Sequence, residues 1–139
     1  MAMKFHVDIV SAEEQIYSGL AELVIAPAEE GDVGIAARHA PLLTRLKPGE
    51  VRVVGENKEI LPFYVSGGIL EIQPHIVSVL ADHAIRAKDI DEAAALEAKQ
   101  RAEEALKDQK SAMDITKVQR ELVEAMEQLR TLERWRRNR

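Results

Sequence analysis

The chain has 139 residues, enough for one ordinary domain or for a small domain with an appendage. It contains no cysteine, which excludes disulfides and thiolate metal sites and accords with a reducing compartment. The net charge of -5 divides unevenly: residues 1–84 carry six Lys/Arg against twelve Asp/Glu, whereas residues 85–139 carry thirteen against twelve, which points to two parts with different partners. The first residues hold no long apolar stretch, so neither a signal peptide nor a membrane span of about 18 residues is expected.

Lys4 to Val10 alternates, with Phe5, Val7 and Ile9 on one face and Lys4, His6 and Asp8 on the other, as on a half-buried strand. Gln15 to Ser18 and Leu20 to Pro27 read as two short runs hinged at Gly19. Glu29-Glu30-Gly31-Asp32 reads as a turn before the brief Val33-Gly34-Ile35. Leu42 to Leu46 is closed by Lys47-Pro48-Gly49, a strong turn signal. Val51 and Val53 flank Arg52, and Gly55-Glu56-Asn57-Lys58 turns the chain into Ile60 to Ser66. The Ser66-Gly67-Gly68 step marks a sharp bend or close backbone approach before Ile69-Leu70-Glu71-Ile72, and Ile76 to Ala81 follows a Pro74-His75 turn. Eight to ten short strands at this spacing predict an antiparallel β-sandwich or flattened barrel.

From Lys88 the pattern becomes helical. Asp89 with Glu92 three residues later predicts a capping box. A helix then runs to about Lys107, with Ala94, Ala98, Ala102 and Ala105 as a stripe of small residues. Asp108 to Ser111 reads as a connector, and Asp114 or Thr116 as the cap of a second helix. In that helix Ile115, Val118, Leu122, Ala125, Leu129 and Leu132 form a heptad seam. A short connector predicts an antiparallel hairpin, giving an α+β chain: a sandwich over 1–86 and a two-helix arm over 87–139. A buried Leu contributes roughly 1.5–3 kcal/mol, alanine contributes little, and ordering each residue costs about 1–2 kcal/mol. The hairpin alone is marginal, so it is expected to lean on the sandwich or on a partner and to be able to detach.

Several stretches stand in a telling order: Val10-Ser11-Ala12-Glu13 with Ser18-Gly19, Gly34-Ile35, His39-Ala40-Pro41-Leu42-Leu43-Thr44, Lys47-Pro48-Gly49, Tyr64 to Pro74, Val79-Leu80-Ala81-Asp82 and Asp89-Ile90-Asp91. Taken together, over nearly the whole chain, they resemble the epsilon-subunit family of bacterial F-type ATP synthases. The resemblance implies a non-catalytic central-stalk subunit whose sandwich binds the gamma subunit and the c-subunit ring. It implies that the helices fold down on the sandwich or extend along gamma to restrain ATP hydrolysis, meeting the alpha and beta subunits. It also implies a peripheral location on the cytoplasmic face of the bacterial inner membrane. By position in the family, Ser11, Asp32, His39 and Thr44 lie toward the c ring or gamma. The family's usual Pro-Gly before His39 is replaced by Ala37-Arg38, which predicts a less constrained turn.

Ile90-Asp91-Glu92-Ala93-Ala94-Ala95 overlays a nucleotide-binding motif of some members, with Asp91 retained and Ala94 in place of the motif arginine. Arg101 matches another basic position. Without the guanidinium, a donor for phosphate is missing and weak or no ATP binding is expected. The resemblance further implies that Arg134, Arg136 and Arg137 support inhibition by pairing with acidic groups of the catalytic head. Read without it, the arginine-rich end is a solvated helix terminus that suits the helix dipole. Five arginines without a basic sandwich do not point to nucleic acid. His6, His39, His75 and His83 lack metal-ligand spacing, and Ser66-Gly67-Gly68 lacks the Lys-Ser/Thr ending of a P-loop. No catalytic residue, metal or cofactor is expected. The alternative reading is a β-sandwich adaptor whose hairpin serves another complex.

Overall fold

A computed structural model describes residues 3–107 and 112–137, with the side chains of 112–114 left aside. The strands are β1 (Phe5–Ser11), β2 (Gln15–Ala28), β3 (Gly31–Ile35), β4 (Leu42–Leu46), β5 (Gly49–Gly55), β6 (Ile60–Val65), β7 (Gly68–Ile72), β8 (Ile76–Ala81) and β9 (Ala84–Arg86). A 3-10 turn (Ala87–Asp89) leads to α1 (Glu92–Lys107) and α2 (Ala112–Arg137).

The sheet closes through β2. Its first half pairs with β1, and beyond it lie β8, β7 and β4; its second half lies between β3 and β5, and β5 leads to β6 and β9. The alternation read from the sequence sets the core: Phe5, Val7 and Ile9 of β1 face Val24 and Ala26 of β2, Val51 and Val53 of β5, Leu70 and Ile72 of β7, and Val77 and Val79 of β8, all buried. The nine strands form the expected sandwich, with one departure. β1 runs parallel to β8, from His6↔Ile76 to Ser11↔Ala81. Parallel neighbours need a long crossover, and here the rest of the sandwich serves as that crossover in place of a helix.

Gly19 is not a hinge. It sits in the β1–β2 ladder opposite Val7, and β2 continues unbroken for 14 residues. The strand bends instead between Ala21 and Leu23, where the β2–β5 register shifts and Glu22 is the extra residue of a bulge. The Ser66-Gly67-Gly68 step does need its glycines. Both have positive φ, 120° and 138°, and a Cβ on Gly68 would overlap the Leu80 carbonyl oxygen. Arg38 corrects the expectation of a loosened turn. It adopts φ 62°, the left-handed conformation a glycine there would take at no steric cost, and its N–H donates to the Pro74 carbonyl at 3.0 Å.

The helices correct three further expectations. Asp91, not Asp89, caps α1: its Oδ1 accepts the Ala94 N–H at 3.1 Å, while Asp89 ends the 3-10 turn. α2 already runs from Ala112, so Asp114 and Thr116 lie within the helix; the connector 108–111 is outside the described residues. The buried small residues of α1 are Ala95 and Ala102, whereas Ala94 and Ala105 are exposed. Of the six seam residues of α2, Ala125 and Leu132 are buried, whereas Ile115, Val118, Leu122 and Leu129 are half-buried. Thr131 is buried too, with its hydroxyl donating to the Glu127 carbonyl at 2.9 Å. An ion pair from Arg136, near the end of α2, to Glu92, at the start of α1, shows the hairpin to be antiparallel.

Candidate functional site

The arm lies down on the sandwich, and its seat is the outer face of β5 and β6. In β5 the residues Gly49, Val51 and Val53 point to the core, so Glu50 and Arg52 point out. Glu50 stands opposite Tyr64 in the β5–β6 ladder. The end of α2 covers both, leaving the Glu50 side chain 5% exposed. Its Oε1 accepts from Arg134 Nη1 at 2.9 Å and lies 3.3 Å from Arg52 Nε, while Oε2 has no hydrogen-bond partner. Beside this ion pair, Leu132 packs with Tyr64, Ala87 and Ile90, and Ile85 and Trp135 flank them. Burial pushes the Tyr64 phenol well above its ordinary 10, and the charges of Glu124 and Glu127 add to the effect.

Two residues beyond Arg134 along α2, and within the arm itself, Arg136 Nη2 donates to Glu92 Oε2 of α1 at 2.6 Å, and that bond and charge hold the Glu92 carboxyl below its usual range. Arg137 is exposed at the last turn. Of the three arginines assigned to an inhibitory arm, two are therefore engaged within this chain.

The residues assigned to the c ring and gamma lie on separate elements. Asp32 is exposed on β3 opposite Pro27. His39 is half-buried in the β3–β4 loop and donates Nδ1–H to the Ala40 carbonyl at 2.7 Å. Thr44 pairs with Leu70 across β4 and β7. Ser11 ends β1, where its hydroxyl accepts the Glu13 and Glu14 N–H groups at 3.3 Å and donates to the Glu14 carbonyl, so it has a local role in the β1–β2 turn. No hydrogen bond or ion pair links any two of the four among the described residues. Between them runs an outer sheet face on which Val10, Leu80, Ile69 and Arg45 are successive neighbours across β1, β8, β7 and β4. Leu43, Ile69 and Leu80 are 68%, 43% and 47% exposed, an apolar patch of the kind that marks an interaction surface.

Asp91 and Arg101 do come together. Both line a cavity of about 590 Å³ between the helices. Asp89, Glu121 and Glu124 line it as well, so four carboxylates face one arginine, a poor setting for a polyphosphate. Sequence reasoning missed Glu50 and Tyr64. The signal available was the run Leu61-Pro62-Phe63-Tyr64-Val65, apolar on consecutive rather than alternate residues, which implies cover on both faces of the strand. No group of three or more His, Asp or Glu residues suited to a metal occurs among the described residues, and no helix there is long and apolar enough to cross a membrane.

Similar proteins match this arrangement part by part. The family model for the ATP synthase delta/epsilon chain beta-sandwich domain matches residues 4–87, and that for the long alpha-helix domain matches 88–133. The ATP synthase epsilon chain 1 of Methylococcus capsulatus is 64% identical over 139 residues, covering 100% of this chain and 99% of the relative. The ATP synthase epsilon chain of Halorhodospira halophila is 70% identical over 128 residues, covering 91% of each. A chain in the Euglena gracilis mitochondrial ATP synthase has the same fold, with a TM-score of 0.77 at 20% identity over 89% of this chain and 79% of that one. One in the central stalk and c-ring structure of the Tetrahymena thermophila enzyme gives 0.64 at 14%, over 94% and 98%. With both of its parts matched in order, the chain belongs to the ATP synthase delta/epsilon chain family.

Proposed function

We propose that the chain is a non-catalytic rotor subunit in the central stalk of a proton-translocating F-type ATP synthase. It couples rotation of the c ring to ATP synthesis in the catalytic head and restrains ATP hydrolysis through its helical arm. The observation that carries this reading is identity above 60% to epsilon chains over nearly the whole length. Residues 1–86 are the coupling part. The exposed Leu43–Ile69–Leu80 face supports a protein partner there, which we take to be gamma, with Asp32, His39, Thr44 and Ser11 toward gamma or the c ring. The chain reaches the cytoplasmic face of the bacterial inner membrane only through this complex.

Residues 87–139 are the regulatory arm. Its inhibitory state has Arg134, Arg136 and Arg137 paired with acidic groups of the alpha and beta subunits. Since Glu50 of the sandwich holds Arg134 when the arm is down and Glu92 of α1 holds Arg136 within the hairpin, engaging these arginines elsewhere requires both pairs to open, and only the Glu50–Arg134 pair favours the down position directly. ATP is not a ligand of the cavity between the helices, where Ala94 supplies no donor and carboxylates prevail.

The test is ATP hydrolysis by a catalytic head with gamma in place but lacking this subunit, to which the full chain or a version ending at Lys88 is added. Stronger inhibition by the full chain is expected. Equal rates with both versions bound would remove the arm from regulation, and failure of either to bind gamma and the c ring would favour an adaptor for another complex.

A further inference from the structure

Where the end of α2 meets the sandwich, the chain forms an open cleft of about 470 Å³, within the range of roughly 300–1,000 Å³ usual for small-molecule sites. Its apolar lining includes Tyr17, Phe63 and Leu61, the two rings tilted against each other with centroids 5.4 Å apart, and α2 contributes Trp135. Arg86 and Lys88 also line the cavity, and it has no carboxylate in its lining. Arg86 is anchored, its Nη2 donating to the Ile16 carbonyl at 2.8 Å, and a guanidinium has further N–H donors to spare. Neither cation forms an ion pair among the described residues, although the sandwich around them carries an excess of acids. Aromatic walls with two cations outside any described ion pair suit a flat ring bearing one negative group.

We propose that this cavity binds a small aromatic anion, an aryl carboxylate or aryl phosphate, with its ring among Tyr17, Phe63 and Trp135 and its charge on Arg86 and Lys88. The Tyr17 phenol, which burial and secondarily the charge of Glu59 raise above its ordinary 10, is a neutral wall of the site. Because the sandwich and α2 both contribute to the cavity, an occupant stabilises the docked arm over any released one. That consequence rests on the arm's mobility proposed above; the binding itself does not.

Trp135 is the sole tryptophan, so the 15N-labelled full chain has one indole N–H resonance, and it reports from the cavity wall. Titration with 2-naphthoate and with 1-naphthyl phosphate is expected to move that resonance with a dissociation constant near or below about 1 mM. Binding of either supports the site, and the tighter probe names the head group. Lys88→Gln removes an exposed amine without a side-chain hydrogen bond among the described residues, and should weaken binding about three- to tenfold while leaving the fold unchanged. Arg86→Gln should weaken it further. An indole resonance unmoved by both probes would overturn the proposal. So would equal affinity for neutral 2-naphthol, equal affinity in Lys88→Gln, or the same shift with inorganic phosphate alone, which would mean an adventitious ion only.

Discussion

The ion pair under the arm makes an asymmetric prediction. Glu50 is 5% exposed and Arg134 39%, so the two ends of one bond face different environments. Arg134→Ala leaves a carboxylate under α2 with only the Arg52 guanidinium beside it, at 3.3 Å. A hydrogen bond to a charged group is worth about 1.5–3 kcal/mol, and the exposure of Arg134 places the loss at the lower end, about 2 kcal/mol. At about 1.4 kcal/mol per decade this lowers the ratio of docked to released arm about 30-fold. Glu50→Gln is different, because docking must first desolvate the carboxylate. Removing that cost offsets most of the lost attraction, and the two arginines left behind still reach water; the expected loss is under about 1 kcal/mol. Trp135 emission in a urea titration reads arm release, while the backbone amide resonances of β1, β7 and β8, away from the arm, read the sandwich. The reasoning is refuted if Glu50→Gln releases the arm as readily as Arg134→Ala does.

Three other outcomes follow from the same geometry. Leu132→Ala, which empties the cluster with Tyr64, Ala87 and Ile90, should weaken arm docking by about 2–3 kcal/mol in the Trp135 assay; a change below half that would mean the seam is held elsewhere. Glu92 has its folded pKa below the ordinary 4.5 because of Arg136, so its contribution is present above pH 4.5 and lost as pH falls through the lowered value. Carboxyl titration by NMR should show the Glu92 midpoint rising in Arg136→Gln, and an unmoved midpoint would discount the pair. Arg38→Gly should stabilise the sandwich by about 1 kcal/mol by relieving the left-handed backbone; a lower melting temperature would show the arginine side chain to be more valuable than its strain.

Much of the fold is legible in the sequence because strand periodicity and turn chemistry are local. The alternation of Lys4 to Val10, the Lys47-Pro48-Gly49 turn and the heptad of α2 each depend on neighbouring residues. What escapes is non-local. Gly19 looks like a break, but its partner strand carries the chain straight past it, and the bend is displaced to Glu22 by register with β5. Asp89 and Asp91 both offer a carboxylate, and only the 3-10 turn decides which one reaches the first free N–H groups of α1. Glu50 reads as an ordinary outward residue of a half-buried strand, and its burial follows from a helix some 80 residues later. Of the candidate site, the arginines of the arm are visible in composition, but the acids that hold them are not.

The parallel rung between β1 and β8 also governs the order of events in folding. His6 and Ile76 are 70 positions apart, so the first strand waits for nearly all of the sandwich before its second neighbour exists. Closing so long a loop makes the last step of sandwich formation slow, as high contact order generally does. On a ribosome, β1 leaves the tunnel early with one edge open, and that edge is sealed only after residue 81 emerges. The seat for the arm is built from β5, β6 and the 3-10 turn, so α2, synthesised last, meets a platform already formed. Vectorial synthesis thus lets α2 dock on the sandwich as soon as it emerges, with no further strand still to come.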